Sequence, residues 1–213
     1  MQSAAKNSII FIVSAPSGTG KTSLCNEVMH RIPHLSFSVS HTTRSPRAGE
    51  KDGTDYYFVA PEVFKQYIAE HKMAEWAEIY GNCYGTAAAT IQGLFDKGCD
   101  ILLDIEERGA RQLVEKYPAC VTILVLPPSL DELKKRLSER GTDDPGSITR
   151  RLKQAQDEIE SMSWYQYVVV NDRFDDAVTQ LPSIIIAERC RRDHGVIARI
   201  VMHPAHSAGH PGK

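Results

Sequence analysis

The chain has 213 residues, of which 42% are hydrophobic and 24% charged, and its formal net charge is −2. That length and composition suit an α/β domain with room for a small inserted lobe, and they exclude a disordered or fibrous chain. The nearly balanced charge gives no reason to expect a nucleic-acid or anionic-membrane partner, so whatever positive charge the function needs is local.

A short apolar, β-branched run, Ile9 to Val13, follows Lys6 near the N-terminus. It leads into a Gly-rich loop rather than a cleavage site, so residues 9–14 read as a buried strand and not as a signal peptide. No stretch approaches the roughly 18 apolar residues of a membrane span. The loop occupies 15–22, and a helix follows over 23–31, with Leu24, Val28 and Met29 at helical spacing and Pro33 beyond its end.

The next stretch, 36–84, is polar and aromatic and too long for a simple connection between a strand and a helix. Strand-like pieces at 55–59 and 73–80 flank a helix at 61–71, which predicts an inserted lobe with its own small mixed sheet. Three further apolar runs lack polar alternation: DILLDI at 100–105, VTILVL at 121–126 and YVVV at 167–170. Helical stretches at 107–117, 130–140, 148–162 and 175–192 separate or follow them, and that alternation predicts a parallel sheet covered on both faces.

Segment 136–151 is dense in arginine, with Gly141 and residues 143–146 as a turn, and reads as a mobile helical lid. After about Gly195 the chain turns to His, Gly, Pro and Ala, a frayed tail whose His203, His206 and His210 are not read as a metal site. The division expected is therefore a core over 1–35 and 87–192, a lobe over 36–86 and a tail over 193–213. Cys25, Cys83, Cys99, Cys120 and Cys190 are odd in number and lack zinc spacing, which predicts reduced thiols in the cytoplasm.

Ala15-Pro16-Ser17-Gly18-Thr19-Gly20-Lys21-Thr22, followed by Ser23, matches the phosphate-loop pattern G-x-x-x-x-G-K-[ST] except at its first position. Gly18 and Gly20 let consecutive N–H groups turn inward on a phosphate, and the helix that follows adds its positive end. Lys21 reaches the β- and γ-phosphates, and the Thr22 hydroxyl suits Mg²⁺. Alanine at 15 is tolerable if its φ is negative. The loop alone does not separate a kinase from a GTPase or a motor. Downstream, Arg44 and Arg47 lie three apart on a Pro/Gly-interrupted loop, as a guanidinium grip on a second anion requires, with Tyr56 and Tyr84 as hydroxyl donors.

The run SVSHTTRSPRAGEKDGTDYYFV, followed by EW, GNCYGT and LLDIE, resembles the guanylate kinase family, and the resemblance extends from residue 9 to about 192. It implies the P-loop NTPase fold and Mg²⁺-dependent transfer of the ATP γ-phosphate to GMP or dGMP. By the same resemblance, Arg44, Arg47, Tyr56 and Tyr84 hold the GMP phosphate, Glu75 reads the guanine, and Ser40 and Thr86 lie near guanine O6 and N7. A carboxylate suits guanine because one ionised group accepts from both N1–H and N2–H, whereas adenine presents an acceptor at N1. Asp104, at the carboxyl end of its strand, either holds Mg²⁺ through water or accepts from guanine. Arg136, Arg140 and Arg151 occupy the lid positions, and Asn171 the adenine side of ATP. The chain departs from the family's pattern at Glu106, usually aspartate, and at Arg108, usually glutamine, so neither is given a role. The rival readings are a monophosphate kinase for another base, against which Glu75 speaks, and a catalytically silent binding module, against which the intact phosphate loop speaks.

Overall fold

The computed structural model describes residues 8–139 and 145–191. In chain order the first elements are β1 (Ile10–Ser14), α1 (Lys21–Arg31), β2 (Leu35–Phe37), β3 (His41–Thr42), β4 (Tyr57–Phe58) and α2 (Pro61–Ala69). Next come β5 (Met73–Ile79), β6 (Asn82–Ala87), α3 (Ala88–Asp96), β7 (Asp100–Asp104), α4 (Glu107–Lys116) and β8 (Val121–Leu126). The last are α5 (Leu130–Glu139), α6 (Pro145–Glu160), β9 (Tyr167–Val170) and α7 (Phe174–Cys190).

Five strands pair in the order β2-β7-β1-β8-β9, all parallel, with β1 at the centre. Alternate residues of β1 serve opposite faces. Phe11 and Val13 pack with Leu24 and Val28 of α1 and Leu181 and Ile185 of α7. Ile10 and Ile12 pack with Ile91 of α3 and Leu113 of α4. Both faces are therefore dry, which is why these strands carry no polar alternation. Each such side chain contributes roughly 1.5–3 kcal/mol through burial.

The aspartates at the two ends of β7 have different surroundings. Asp100 accepts from the Ile9 N–H at 2.8 Å and from Arg189 Nε at 2.7 Å, pinning the amino end of the sheet to α7. Asp104 opens on the carboxyl end, where an open parallel sheet receives its ligands.

A second, mixed sheet has the order β4-β3-β6-β5. Its long hairpin, β5 and β6, is joined by Tyr80 and Gly81, both left-handed at φ 49° and 76°, the backbone pattern of a type I′ turn. The register slips between Met73 and Glu75, leaving Ala74 as a bulge. Lys116 of α4 caps that irregularity, donating to the carbonyls of Met73 and Ala74 at 3.3 and 2.5 Å. The bulge lets Ala74 pack into the core of the main sheet while Glu75 stays buried in the lobe.

Four details differ from the sequence reading. The main sheet has a fifth strand, β2, which straddles the expected division at 35/36 and is too short to declare itself by pattern. The strand expected at 55–59 is only Tyr57–Phe58, because Asp55 is spent on the backbone N–H of Lys51. Helix α3 is not among the predicted helices; its AATIQGLFD sequence carries a glycine and two β-branched residues, all poor helix signals. Helix α6 starts at Pro145 rather than 148, where proline's fixed φ suits a first turn. Arg140, the turn glycine Gly141 and the tail 193–213 lie outside the described residues.

Candidate active site

The phosphate loop turns as its glycines require. Gly18 and Gly20 have φ of 100° and 89°, and α1 begins at the next residue, Lys21. Ala15 is not among the positive-φ residues and is buried, so its methyl group is accommodated without strain. Thr19 closes the turn, its hydroxyl donating to the Pro16 carbonyl at 2.9 Å. From the far side of the loop, Asn171 Nδ2 donates to the Thr19 carbonyl at 2.7 Å. A Cβ on Gly20 would meet that amide nitrogen at 2.9 Å, so Gly20 is required both for its φ and for its lack of a side chain.

Lys21 is bound to the end of β7. Its Nζ lies 2.7 Å from Asp104 Oδ1 and 3.6 Å from Glu106 Oε1. Burial works against the ammonium charge, but Asp104 and Glu106 outweigh it and hold Lys21 above the ordinary lysine range. Glu106, given no role from sequence, is thus a second counter-ion of the phosphate-loop lysine.

One cleft is lined by 15–23 and by Ser40, Arg44, Arg47, Tyr56, Glu75, Tyr84, Asp104 and Arg151. Nearly all the residues singled out in the sequence meet there, from both sheets and from α6. Arg44 is held by a two-pronged pair with Glu50, at 3.0 and 2.8 Å, and its Nη1 also donates to the Ser45 carbonyl at 2.8 Å. Hydrogen bonding from Arg44, aided by the Arg47 N–H, keeps Glu50 below the usual carboxylate range. The Tyr56 and Tyr84 rings lie edge to face at 6.0 Å, and Arg44 stands over Tyr56 at 5.5 Å.

Glu75 is 3% exposed on β5. Its Oε1 accepts from Thr86 Oγ1 at 2.7 Å across the β5–β6 hairpin. Thr86 itself is fully buried and does not line the cleft; it stands behind the carboxylate. Burial pushes the Glu75 carboxyl up to about 7, partly offset by the Thr86 hydrogen bonds. Space for this carboxylate comes from Gly109 of α4, where a Cβ would lie 2.2 Å from Glu75 Oε2.

The lid arginines separate. Arg151 Nη1 donates to Ser17 Oγ at 2.9 Å and faces the cleft. Arg136 does not line it: Nη1 donates to the Asn171 carbonyl at 3.0 Å and Nε to Glu132 at 3.0 Å, in a hollow behind Gly18–Gly20 shared with Asn171. Arg140 is outside the described residues. The sequence reading gives no role to Glu50, Gly109 or Tyr80, of which the last two also line the cleft. The first two gave no local signal; Tyr80 gave a faint one, as an aromatic residue before glycine where a tight hairpin turn usually has Asn or Asp.

Thr22 Oγ1 and Asp104 Oδ2 approach to 3.4 Å beside the loop. Among the described residues no group of three or more His, Cys, Asp or Glu side chains gathers as a metal cage. One hydroxyl and one carboxylate next to a phosphate site fit Mg²⁺, which takes few protein oxygens and completes its shell with phosphate and water. No helix among the described residues is long and apolar enough to cross a membrane.

Comparison with known proteins accords with this geometry. The profile of the family described as guanylate kinase matches residues 7–188. The guanylate kinase of Geobacter metallireducens is 48% identical over 186 residues, covering 87% of this chain and 92% of that protein. That of Syntrophotalea carbinolica is 50% identical over 186 residues, covering 87% and 89%. The crystal structure of guanylate kinase from Anaplasma phagocytophilum superposes with a TM-score of 0.74 at 31% identity, covering 92% of this chain and 94% of that one. With the profile running from ahead of β1 almost to the end of α7, and relatives at 48% and 50% identity over 87% of its length, the chain belongs to the guanylate kinase family.

Proposed function

We propose that the protein transfers the γ-phosphate of ATP to GMP, giving ADP and GDP, with magnesium as cofactor, and that it does so in the cytoplasm. The observation that carries this reading is Glu75: a buried carboxylate, held by Thr86, in the same cleft as a complete phosphate loop. The lobe built on the mixed sheet is the acceptor-binding part and the core built on the five-stranded sheet the ATP-binding part.

In this reading the N–H groups of 16–22 cradle the ATP phosphates, and Lys21 moves from Asp104 to the β- and γ-oxygens. Thr22 and Asp104 are the residues that would hold magnesium, which when bound neutralises phosphate charge. Arg44, Arg47, Tyr56 and Tyr84 fix the GMP phosphate, with Arg44 kept in position by Glu50. Ser40 lies beside the base. An oxygen of the GMP phosphate attacks the γ-phosphorus while the bond to the β–γ bridging oxygen breaks. The attacking oxygen is already an anion, so the step needs positioning and charge neutralisation but no general base. Arg151, which faces the cleft, is assigned to charge on the transferring group, and Asn171 to the adenine side; Arg136 joins it only by leaving Glu132 and the Asn171 carbonyl. The test is the product balance: equal amounts of ADP and GDP from ATP and GMP support it, and ADP with free phosphate instead of GDP refutes it.

Recognition of guanine by an ionised Glu75 makes GMP use depend on pH. With the carboxyl at about 7, kcat/KM for GMP should rise as pH passes from 6 to 8 and then level off. A profile flat across that window in initial-rate measurements sinks the assignment of Glu75.

Gly109→Ala places a methyl group against Glu75 Oε2 and should turn the carboxylate away. The expected loss in kcat/KM for GMP is about ten- to a hundredfold, the range for overpacking a tight site, with KM for ATP little changed. Steady-state kinetics with each substrate varied in turn decide this; equal losses toward both substrates mean general damage instead.

A further inference from the structure

Tyr80 occupies a position that suits it poorly. As the first residue of the two-residue turn between β5 and β6 it has φ of 49°, a left-handed conformation that Asn, Asp or Gly adopts at lower cost. The residue is also more than half exposed, so burial does not repay the strain. Its hydroxyl and ring reach outside its own lobe. The Tyr80 hydroxyl donates to Gln154 Oε1 at 2.8 Å, and the Arg151 guanidinium stands 5.5 Å from the ring centroid. Residues 151 and 154 are three apart on α6 and so share one face of that helix. Arg151 in turn reaches Ser17 of the phosphate loop. Ring, helix and loop form one continuous contact from the acceptor lobe to the phosphate-binding turn.

We propose that Tyr80 is a positioning residue for phosphoryl transfer: it carries the position of the acceptor lobe to α6 and sets Arg151 over the phosphate loop. The tip of the β5–β6 hairpin moves with Glu75 and Tyr84, because all three belong to one hairpin. When the lobe seats GMP, the Tyr80 ring supplies a face for Arg151, and the hydroxyl fixes the helix one turn further along. Arg151 is thereby presented when an acceptor is in place, which favours transfer over hydrolysis. The proposal rests on the reading of Arg151 as an arginine that neutralises the transferring phosphate.

The experiment compares Tyr80→Asn, Tyr80→Phe, Arg151→Ala and the Tyr80→Asn/Arg151→Ala double variant, by initial rates with ATP and GMP and by thermal melting. Tyr80→Asn should melt at the same temperature or higher, since asparagine suits the turn, while kcat falls about tenfold and KM for ATP stays put. Tyr80→Phe keeps the ring and should lose less, about two- to threefold, the share of one neutral hydrogen bond. In the Arg151→Ala background, Tyr80→Asn should change kcat less than twofold, because what it positions is gone. Full kcat in Tyr80→Asn with a large loss in Arg151→Ala overturns the role of Tyr80 and leaves that of Arg151 standing. Multiplying losses in the double variant overturn it as well. Full kcat in Arg151→Ala removes the reading of Arg151, and the proposal with it.

Discussion

Lys21→Met should leave a folded protein that binds GMP and has lost about a hundred- to a thousandfold of its kcat, the scale for removing one preorganised charge from a phosphoryl or acyl transfer site. Methionine keeps the length and the apolar stem, so Gly18 and Gly20 should still turn the loop. What disappears is the ammonium that Asp104 and Glu106 now hold at 2.7 and 3.6 Å. That pairing has a consequence for ATP binding. Lys21 reaches the phosphates only by exchanging carboxylate partners for phosphate oxygens, and the exchange leaves Asp104 free for the metal beside Thr22. The variant also leaves Asp104 and Glu106 facing each other without a cation, at 14% and 31% exposure. Because both still reach water, the stability loss should be about 1–3 kcal/mol, less than for a fully buried broken pair. Kinetics and denaturant melts on the same sample separate the two effects. A variant that keeps a tenth or more of its kcat contradicts the role assigned to Lys21.

Glu75→Gln should weaken function and strengthen the fold. Against guanine, the glutamine carbonyl still accepts one hydrogen bond, but its NH₂ opposes the second donor, N1–H or N2–H. The expected loss in kcat/KM for GMP is about a hundredfold, and discrimination against AMP should shrink accordingly. For stability the sign runs the other way. The folded carboxyl is raised to about 7 from an ordinary 4.5, so between those values the folded state holds the proton more tightly than the unfolded state. Stability is therefore lost as pH rises from about 4.5 to 7, and above that window the cost of the buried charge is fully present, about 3 kcal/mol. Glutamine carries no such charge and still accepts from Thr86. Its melting temperature at pH 8 should thus exceed that of the native protein, and the difference should vanish near pH 4.5. A variant less stable at pH 8 would show that Glu75 is not the strained carboxylate its burial implies.

The parts of the site that were legible from sequence are those whose chemistry is local. Residues 15–22 are contiguous, so the turn, the lysine and the hydroxyl could be read from one stretch after an apolar strand. The role of Glu75 came from resemblance alone: its partners Thr86 and Gly109 lie 11 and 34 positions away, joined only by strand pairing and by α4 packing against β5. Gly109 reads in sequence as an ordinary weak spot in a helix. Glu50 was one of several charges in a polar loop, and nothing in its spacing announces the two-pronged hold on Arg44. Arg136 and Arg151 looked alike in sequence as lid arginines. Leu133 and Leu137 set the buried side of α5, and Arg136 is turned toward Glu132 and the Asn171 carbonyl, away from the main cleft. The short β2 carried too few residues to show a period.

The proposed role of Glu75 makes this phosphate-loop protein a kinase for guanine nucleotides. It is tested most directly by ADP formation from ATP and magnesium with GMP, AMP, CMP or UMP supplied separately. The expected result is rapid ADP release with GMP and little above the ATP-only rate with the other three. Comparable or faster turnover with AMP, CMP or UMP would contradict it.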